Sequence, residues 1–171
     1  AFAQTYFAVQ TRKQELIEQK DYQALKTEEE KRLFLRIQLK VNNKQLAGAA
    51  KNAGVIGPID YAIFQDHGYK GLYDGLTSKD IHRRKKLKKS QQILDHMGST
   101  ELAANLFRAT QTEEKLKRKH IKDKRIANQT HYDIGKKVRR TIEEIGGTMP
   151  EHLPSVESIK VVERKQQKKL K

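Results

Sequence analysis

Three observations on this sequence predict an all-α fold. Apolar residues recur at helical spacings through most of the chain. Cap signatures stand where the periodic stretches begin, the clearest being Thr27 followed by Glu30. Only three prolines interrupt the chain, and no two apolar runs are joined as a strand pair would be. About seven or eight helices are predicted, several of them short.

The first stretch, AFAQTYFAVQTRKQELIEQK, places Phe2, Tyr6, Val9, Leu16 and Ile17 at helical intervals. It has neither Met nor an N-cap, so the chain is expected to begin inside a helix. A long helix near residues 27–53 follows. Thr27 and Glu30 form its capping box, and Glu28 and Glu29 suit the positive end of the helix dipole. Leu33, Leu35, Ile37, Leu39 and Val41 alternate as a strand would. The cap, and the absence of a turn before Asn42, decide for helix, with Gly54 as its stop. Such a helix is apolar around most of its middle and needs partners on two sides, either other helices or a second copy of the chain.

Pro58 can open the next helix, with Ile59, Ala62 and Ile63 as its inner face. Gly68, Gly71 and Gly75 predict tight turns around Tyr69, Leu72 and Tyr73. Thr77 or Ser78 caps a short helix that carries Ile81 and Leu87 inward, and another short helix spans residues 91–96, closed by Gly98. Ser99 and Thr100 are good N-caps for a helix whose Leu102–Leu106 and Ala103–Phe107 pairs share one face. After a break near residues 120–123, a second long helix near 124–145 turns Tyr132, Ile134, Val138, Ile142 and Ile145 inward. Gly146 caps it, and Pro150 prevents continuation. Ser155 starts a terminal helix. Three regions result: a long-helix region at 1–57, suited to dimerisation; a helical region with a basic surface at 58–150; and a helix with a basic tail at 151–171.

Charge narrows the function. The chain carries 36 Lys and Arg against 21 Asp and Glu, a formal net charge of +15. Residues 79–140 alone hold nineteen of those cations and seven of the acids. A local excess of this size points to a polyanionic partner, nucleic acid first and an anionic membrane surface second. The absence of Cys excludes disulfides, thiolate catalysis and Cys-ligated zinc. No stretch approaches the roughly 20 apolar residues of a membrane span. A soluble, cytoplasmic protein is expected.

No catalytic pattern survives inspection. "DHMGS" (95–99) lacks the G-x-S-x-G arrangement, and a capping Ser after a helix-ending Gly explains it. "GYKGLYDG" (68–75) fits neither phosphate-loop pattern. There Tyr69 and Tyr73 could stack on bases beside Lys70, but local packing of the two rings is the favoured reading. The six His show no ligand spacing and are expected at scattered surface or half-buried positions; no metal or cofactor is expected. "STELAANLF" (99–107) lacks the Gly turn and following recognition helix of a DNA reader. No Asp/Glu cluster with metal-ligand spacing supports a nuclease. What remains are three basic clusters. The candidate nucleic-acid-binding residues are Arg83, Arg84, Lys85, Lys86, Lys88 and Lys89; then Lys117, Arg118 and Lys119; then Lys136, Lys137, Arg139 and Arg140. Such residues contact phosphates, giving affinity without sequence choice.

The strings "AQTYFAVQTRKQEL" (3–16), "GLYDGLTSKDI" (71–81), "ILDHMGSTELAANLFRATQTEEKL" (93–116), "ANQTHYDIGKKVRRTIEEIGGTMPE" (127–151) and "LPSVESIK" (153–160) resemble the bacterial DNA-damage-inducible protein D family. The resemblance covers nearly the whole chain in order. It implies a C-terminal portion that lacks the family's N-terminal domain, which is similar to phage antirepressor (Bro-type) domains. It further implies a nucleoid-associated SOS-response regulator that acts without catalysis on a recombinase filament on single-stranded DNA. The alternative is a DNA-binding antirepressor or transcription factor whose dimerising part is this chain. The family supplies no catalytic or binding residues to carry over, so the candidate residues rest on charge alone.

Overall fold

The computed structural model describes residues 27–171. Among these residues there are six α-helices, two single-turn 3-10 helices and no strand. The α-helices are α1 (Glu28–Asn52), α2 (Gly57–Leu72), α3 (Ser78–Arg84), α4 (Ser99–Arg118), α5 (Lys124–Glu144) and α6 (Ile159–Lys169). The 3-10 turns are Ile93–His96 and Pro150–His152. The helix expected at the start of the chain lies outside the described residues.

Caps set the boundaries. The Thr27 hydroxyl accepts the Glu30 amide and the Glu30 carboxylate accepts the Thr27 amide, so α1 opens on the predicted capping box. The alternating stretch 33–41 is helical, with Leu35 and Leu39 buried and Ile37 and Val41 exposed. Thr77 and Asp80 repeat the capping box at α3, and Asp123 caps α5. Three helix ends place a non-glycine residue in the left-handed region: Asp74, Lys86 and His120. Lys86 and His120 close the paired backbone bonds of a Schellman turn, at α3 from Lys86 N–H to Arg83 O and from Leu87 N–H to His82 O, while after Asp74 the Gly75 N–H returns to the Lys70 carbonyl.

Two helix pairs run parallel. Glu28 accepts the Ser99 amide at 2.8 Å and its hydroxyl at 2.6 Å, while Lys122, beyond the far end of α4, reaches the Asn52 carbonyl. Both ends of α1 and α4 therefore match in direction. The pairs Asp60–Lys124, Phe64–His131 and Leu72–Arg139 advance together along α2 and α5. One apolar core, from Leu35 to Ile142, fills the space between these helices.

Several expectations need correction. Gly68 and Gly71 make no turns; they lie inside α2, where their missing side chains let α5 approach at His131 and Gly135. Gly75 does turn, at φ +90°. The apolar face foreseen for α2 is wrong by about one residue's rotation. Ile59 is 78% exposed and Ile63 and Ala62 also face outward, while Phe64, Gly68, Tyr69, Gly71 and Leu72 are buried. Helix α3 stops at Arg84, so Leu87 is half-buried in a loop. Ser99 is not the cap of α4; Gly98 holds that place, and Ser99 is held by Glu28. Ile145 is exposed, Tyr132 is half-buried, and Ser158 rather than Ser155 caps α6.

The "DHMGS" segment is a docking hub rather than a simple cap. Glu28, Arg32 and Arg36 recur every four residues on α1 and face it together. Arg36 pairs with Asp95 at 3.0 Å. The buried Arg32 donates to the carbonyls of Met97, Asp95 and Glu157. The His96 carbonyl accepts the Val156 amide, fastening the C-terminal segment to the same point.

Candidate nucleic-acid interface

A buried polar chain anchors the basic region to the core. Lys85, its side chain 6% exposed, donates to Glu101 at 2.8 Å. The other oxygen of Glu101 accepts the Tyr73 hydroxyl at 2.7 Å, and Asn105 donates to that hydroxyl at 2.9 Å. The fully buried Arg108 donates to Asn105 Oδ1 and to His131 Nε2, and lies 4.8 Å from the Tyr69 ring centre. His131 Nδ1–H donates to the Phe64 carbonyl at 2.8 Å, completing a path across α2, α4 and α5. Burial raises the Glu101 carboxyl, against the pull of Lys85. Burial also pushes the Tyr73 hydroxyl well above its ordinary range, with the neighbouring Glu101 charge adding to it, so it remains a donor.

His131 was expected at or near the surface with the other histidines; it is wholly buried. Its partners fix the neutral tautomer, Nδ1 donating and Nε2 accepting. Burial, and then the charge of Arg108, hold its pKa well below the ordinary imidazole value. The unfolded chain gains a proton near pH 6.5 that the folded ring refuses. This group's contribution is therefore complete above that pH and is lost as pH falls below it, by up to about 1.4 kcal/mol per pH unit. Proton NMR titration should show a flat His131 ring signal where exposed histidines titrate; a midpoint near 6.5 would refute the assignment.

The candidate cations separate into three groups. Lys85 and Arg139 are structural. Arg139 makes two 2.7 Å hydrogen bonds to Glu151 and a third to the Leu72 carbonyl. Burial works to raise the Glu151 carboxyl, but the Arg139 bonds hold it below the usual carboxylate range. Arg84 is exposed yet engaged, donating to the Glu151 carbonyl at 2.6 Å and to His152. Exposed ion pairs occupy Arg83 with Asp80, Lys117 with Glu113, and Arg118 with Glu114. Lys86, Lys88, Lys89, Lys119, Lys137 and Arg140 are exposed and form no ion pair among the described residues, and Lys136 lies 5.8 Å from the Tyr132 ring centre.

The third cluster links the other two. Arg84 and Arg139 converge on Glu151, which joins the α3 end to α5. Lys137 shares a shallow groove between α4 and α5 with Lys115 and Arg118. The first and second clusters stand about 24 Å apart along α4, from Glu101 to Lys117 at 1.5 Å per residue. Sequence reasoning missed Lys79, exposed at the start of α3, and the cleft beside it. That cleft, ≈ 930 Å³ and open, lies between α3, the 85–92 loop and the Ile93–Leu94 turn. Its signal was the spacing of Leu87, Ile93 and Leu94 among the lysines, which reads equally as core. No His, Asp or Glu group that could hold a metal occurs among the described residues. No helix among them is long and apolar enough to cross a membrane.

Residues 25–162 match the DinD C-terminal domain family. The chain is also 61% identical over 173 residues to DNA damage-inducible protein D of Escherichia coli (strain K12). That alignment takes in 96% of this chain and 63% of the relative, so the chain spans a little under two thirds of that protein's length. No solved structure matches. A family match across most of the helical core, together with this level of identity, means that the chain belongs to the DinD C-terminal domain family.

Proposed function

We propose that the chain is the non-catalytic binding part of a bacterial, nucleoid-associated DNA-damage-response protein. It acts on a recombinase filament on single-stranded DNA through its basic surface. One observation carries this reading: Lys86, Lys88 and Lys89 crowd one loop without acidic partners among the described residues, while the neighbouring Glu101 and Glu151 are already paired inward. A loop that only needed solubility would not have its acids withdrawn. The name of the relative, a DNA damage-inducible protein, agrees with the setting.

Binding to oligo-dT, and to oligo-dT coated with recombinase, is expected to weaken steeply with salt, at about 0.7 log units per phosphate contact. Changing Arg83, Lys86, Lys88 and Lys89 together to Gln should flatten that slope by up to roughly three units. Lys85 stays in place because it is a core residue. A folded variant with an unchanged slope would remove this loop from the interface.

A second reading, an antirepressor or transcription factor that dimerises through this part, draws on Ile37 and Val41. These lie four residues apart and exposed on α1. It predicts a dimer in sedimentation at tens of micromolar, order of magnitude, that Ile37→Glu converts to monomer. A wild-type monomer at that concentration would count against it.

A further inference from the structure

The cleft beside α3 does not suit phosphate alone. Its rim carries Lys79, Arg83, Lys86 and Lys89, and none of its described lining residues is Asp or Glu. Its floor is aliphatic, built by Leu87, Ile93 and Leu94. Phosphate contacts need the rim but gain nothing from such a floor. Bases need an open aromatic face to stack on. Of the two rings among the described lining residues, Tyr69 is 7% exposed, with the Arg108 guanidinium over its face and Tyr73 at its edge, and the His82 imidazole is half-buried and tied by Nε2 to the Lys88 and Gln91 carbonyls. The chemistry that uses both rim and floor is a peptide carrying carboxylates and apolar side chains together.

We propose that this cleft docks an acidic peptide segment of a partner protein. Its Asp or Glu side chains meet Lys79, Arg83, Lys86 and Lys89, and its Leu-, Ile- or Phe-like side chains lie on Leu87, Ile93 and Leu94. The inference rests on reading the basic surface as a binding surface, and names the partner chemistry for one part of it.

The loop is held in shape for this role. His82 Nε2 sits 3.0 Å from the Lys88 carbonyl and 2.9 Å from that of Gln91, and the Lys88 amide donates to the Gln91 side chain at 2.7 Å. The buried Lys85–Glu101 pair fixes the loop's start. Lys86 holds φ +54°, a conformation that glycine adopts without strain. This supplies a variant that spares the fold: Lys86→Gly removes a rim charge and relieves the backbone.

The test is selection of a random linear peptide display library on the whole chain, followed by binding of a synthetic selected peptide. Enriched sequences are expected to combine acids with Leu, Ile or Phe. Both Lys86→Gly and Leu87→Ser should weaken the peptide by about tenfold, equivalent to 1.4 kcal/mol. Leu87→Ser removes no charge, so it should leave the salt slope for oligo-dT unchanged. The proposal is overturned if nothing is enriched, if enriched peptides lack acids, or if they ignore both substitutions. It is also overturned if oligo-dT shifts the NMR signals of Leu87, Ile93 and Leu94, which makes nucleic acid the occupant. Loss of DNA binding with peptide binding retained would instead sink the filament reading and leave the cleft.

Discussion

Gly135→Ala and Gly71→Ala are each expected to cost at least about 3 kcal/mol, the upper range for overpacking a tight contact. A Cβ on Gly135 would stand 2.6 Å from the Gly68 carbonyl oxygen and 3.0 Å from the Leu72 amide. A Cβ on Gly71 would fall on the Tyr132 carbonyl and the Lys136 amide. In both cases the obstacle is backbone of the facing helix, which no rotamer change can relieve. The helices must separate, and Phe64, Leu72 and Val138 lose contact with them. Gly48→Ala is the control. It sits in α1 with nothing among the described residues within 4 Å of a Cβ, so the better helix former should stabilise by about 0.5–1 kcal/mol. Urea unfolding of the three variants reads the contrast directly. Equal midpoints for all three would mean that α2 and α5 do not meet at these glycines.

Lys85→Ala should be the costly change within the run of cations at 83–86, by about 3–5 kcal/mol. It would leave the Glu101 carboxylate, 1% exposed, buried without its cation. Glu101→Gln should cost a similar amount by stranding the ammonium. The double change Lys85→Met with Glu101→Gln removes both charges and should cost less than the sum of those two single changes, by a coupling of about 1–3 kcal/mol. Lys86→Ala, one residue along and exposed, should stay within about 0.5 kcal/mol. If Lys85→Ala unfolds no earlier than Lys86→Ala, the pair does not anchor the loop.

The contrast between neighbouring lysines marks the limit of the sequence reading. Thr27 with Glu30 forecast the start of α1 because a cap is a contact three residues long, written in adjacent letters. The long helices and the all-α class were legible for the same reason. Gly68 and Gly71 were misread as turns because the letter is the same whether glycine bends the chain or admits another helix. The difference lies in Gly135, over sixty residues away. Likewise Ile59 and Ile63 have the spacing of an inner face. The real inner face was masked, since two of its positions are glycines with no apolar signal. Lys85 and Arg139 were indistinguishable from their neighbours until Glu101 and Glu151 were placed beside them. Charge density found the basic region; the aliphatic floor of its cleft became visible once the loop after α3 was seen to fold back on Ile93 and Leu94.

The parallel course of α1 with α4, and of α2 with α5, bears on how the chain acquires its structure. Parallel neighbours cannot be successive hairpins, so each pairing waits for a long intervening stretch. Arg32 shows the extent of the delay: its last carbonyl partner belongs to Glu157, 125 residues later. During synthesis α1, with its buried arginine and row of leucines, leaves the ribosome before α4, which packs along it, has been made. Helical proteins usually owe rapid folding to contacts close in sequence. This one makes its two main helix pairings across long intervening stretches of chain, so it should fold more slowly than its helix content suggests, and its nascent form is the state that most needs protection from aggregation.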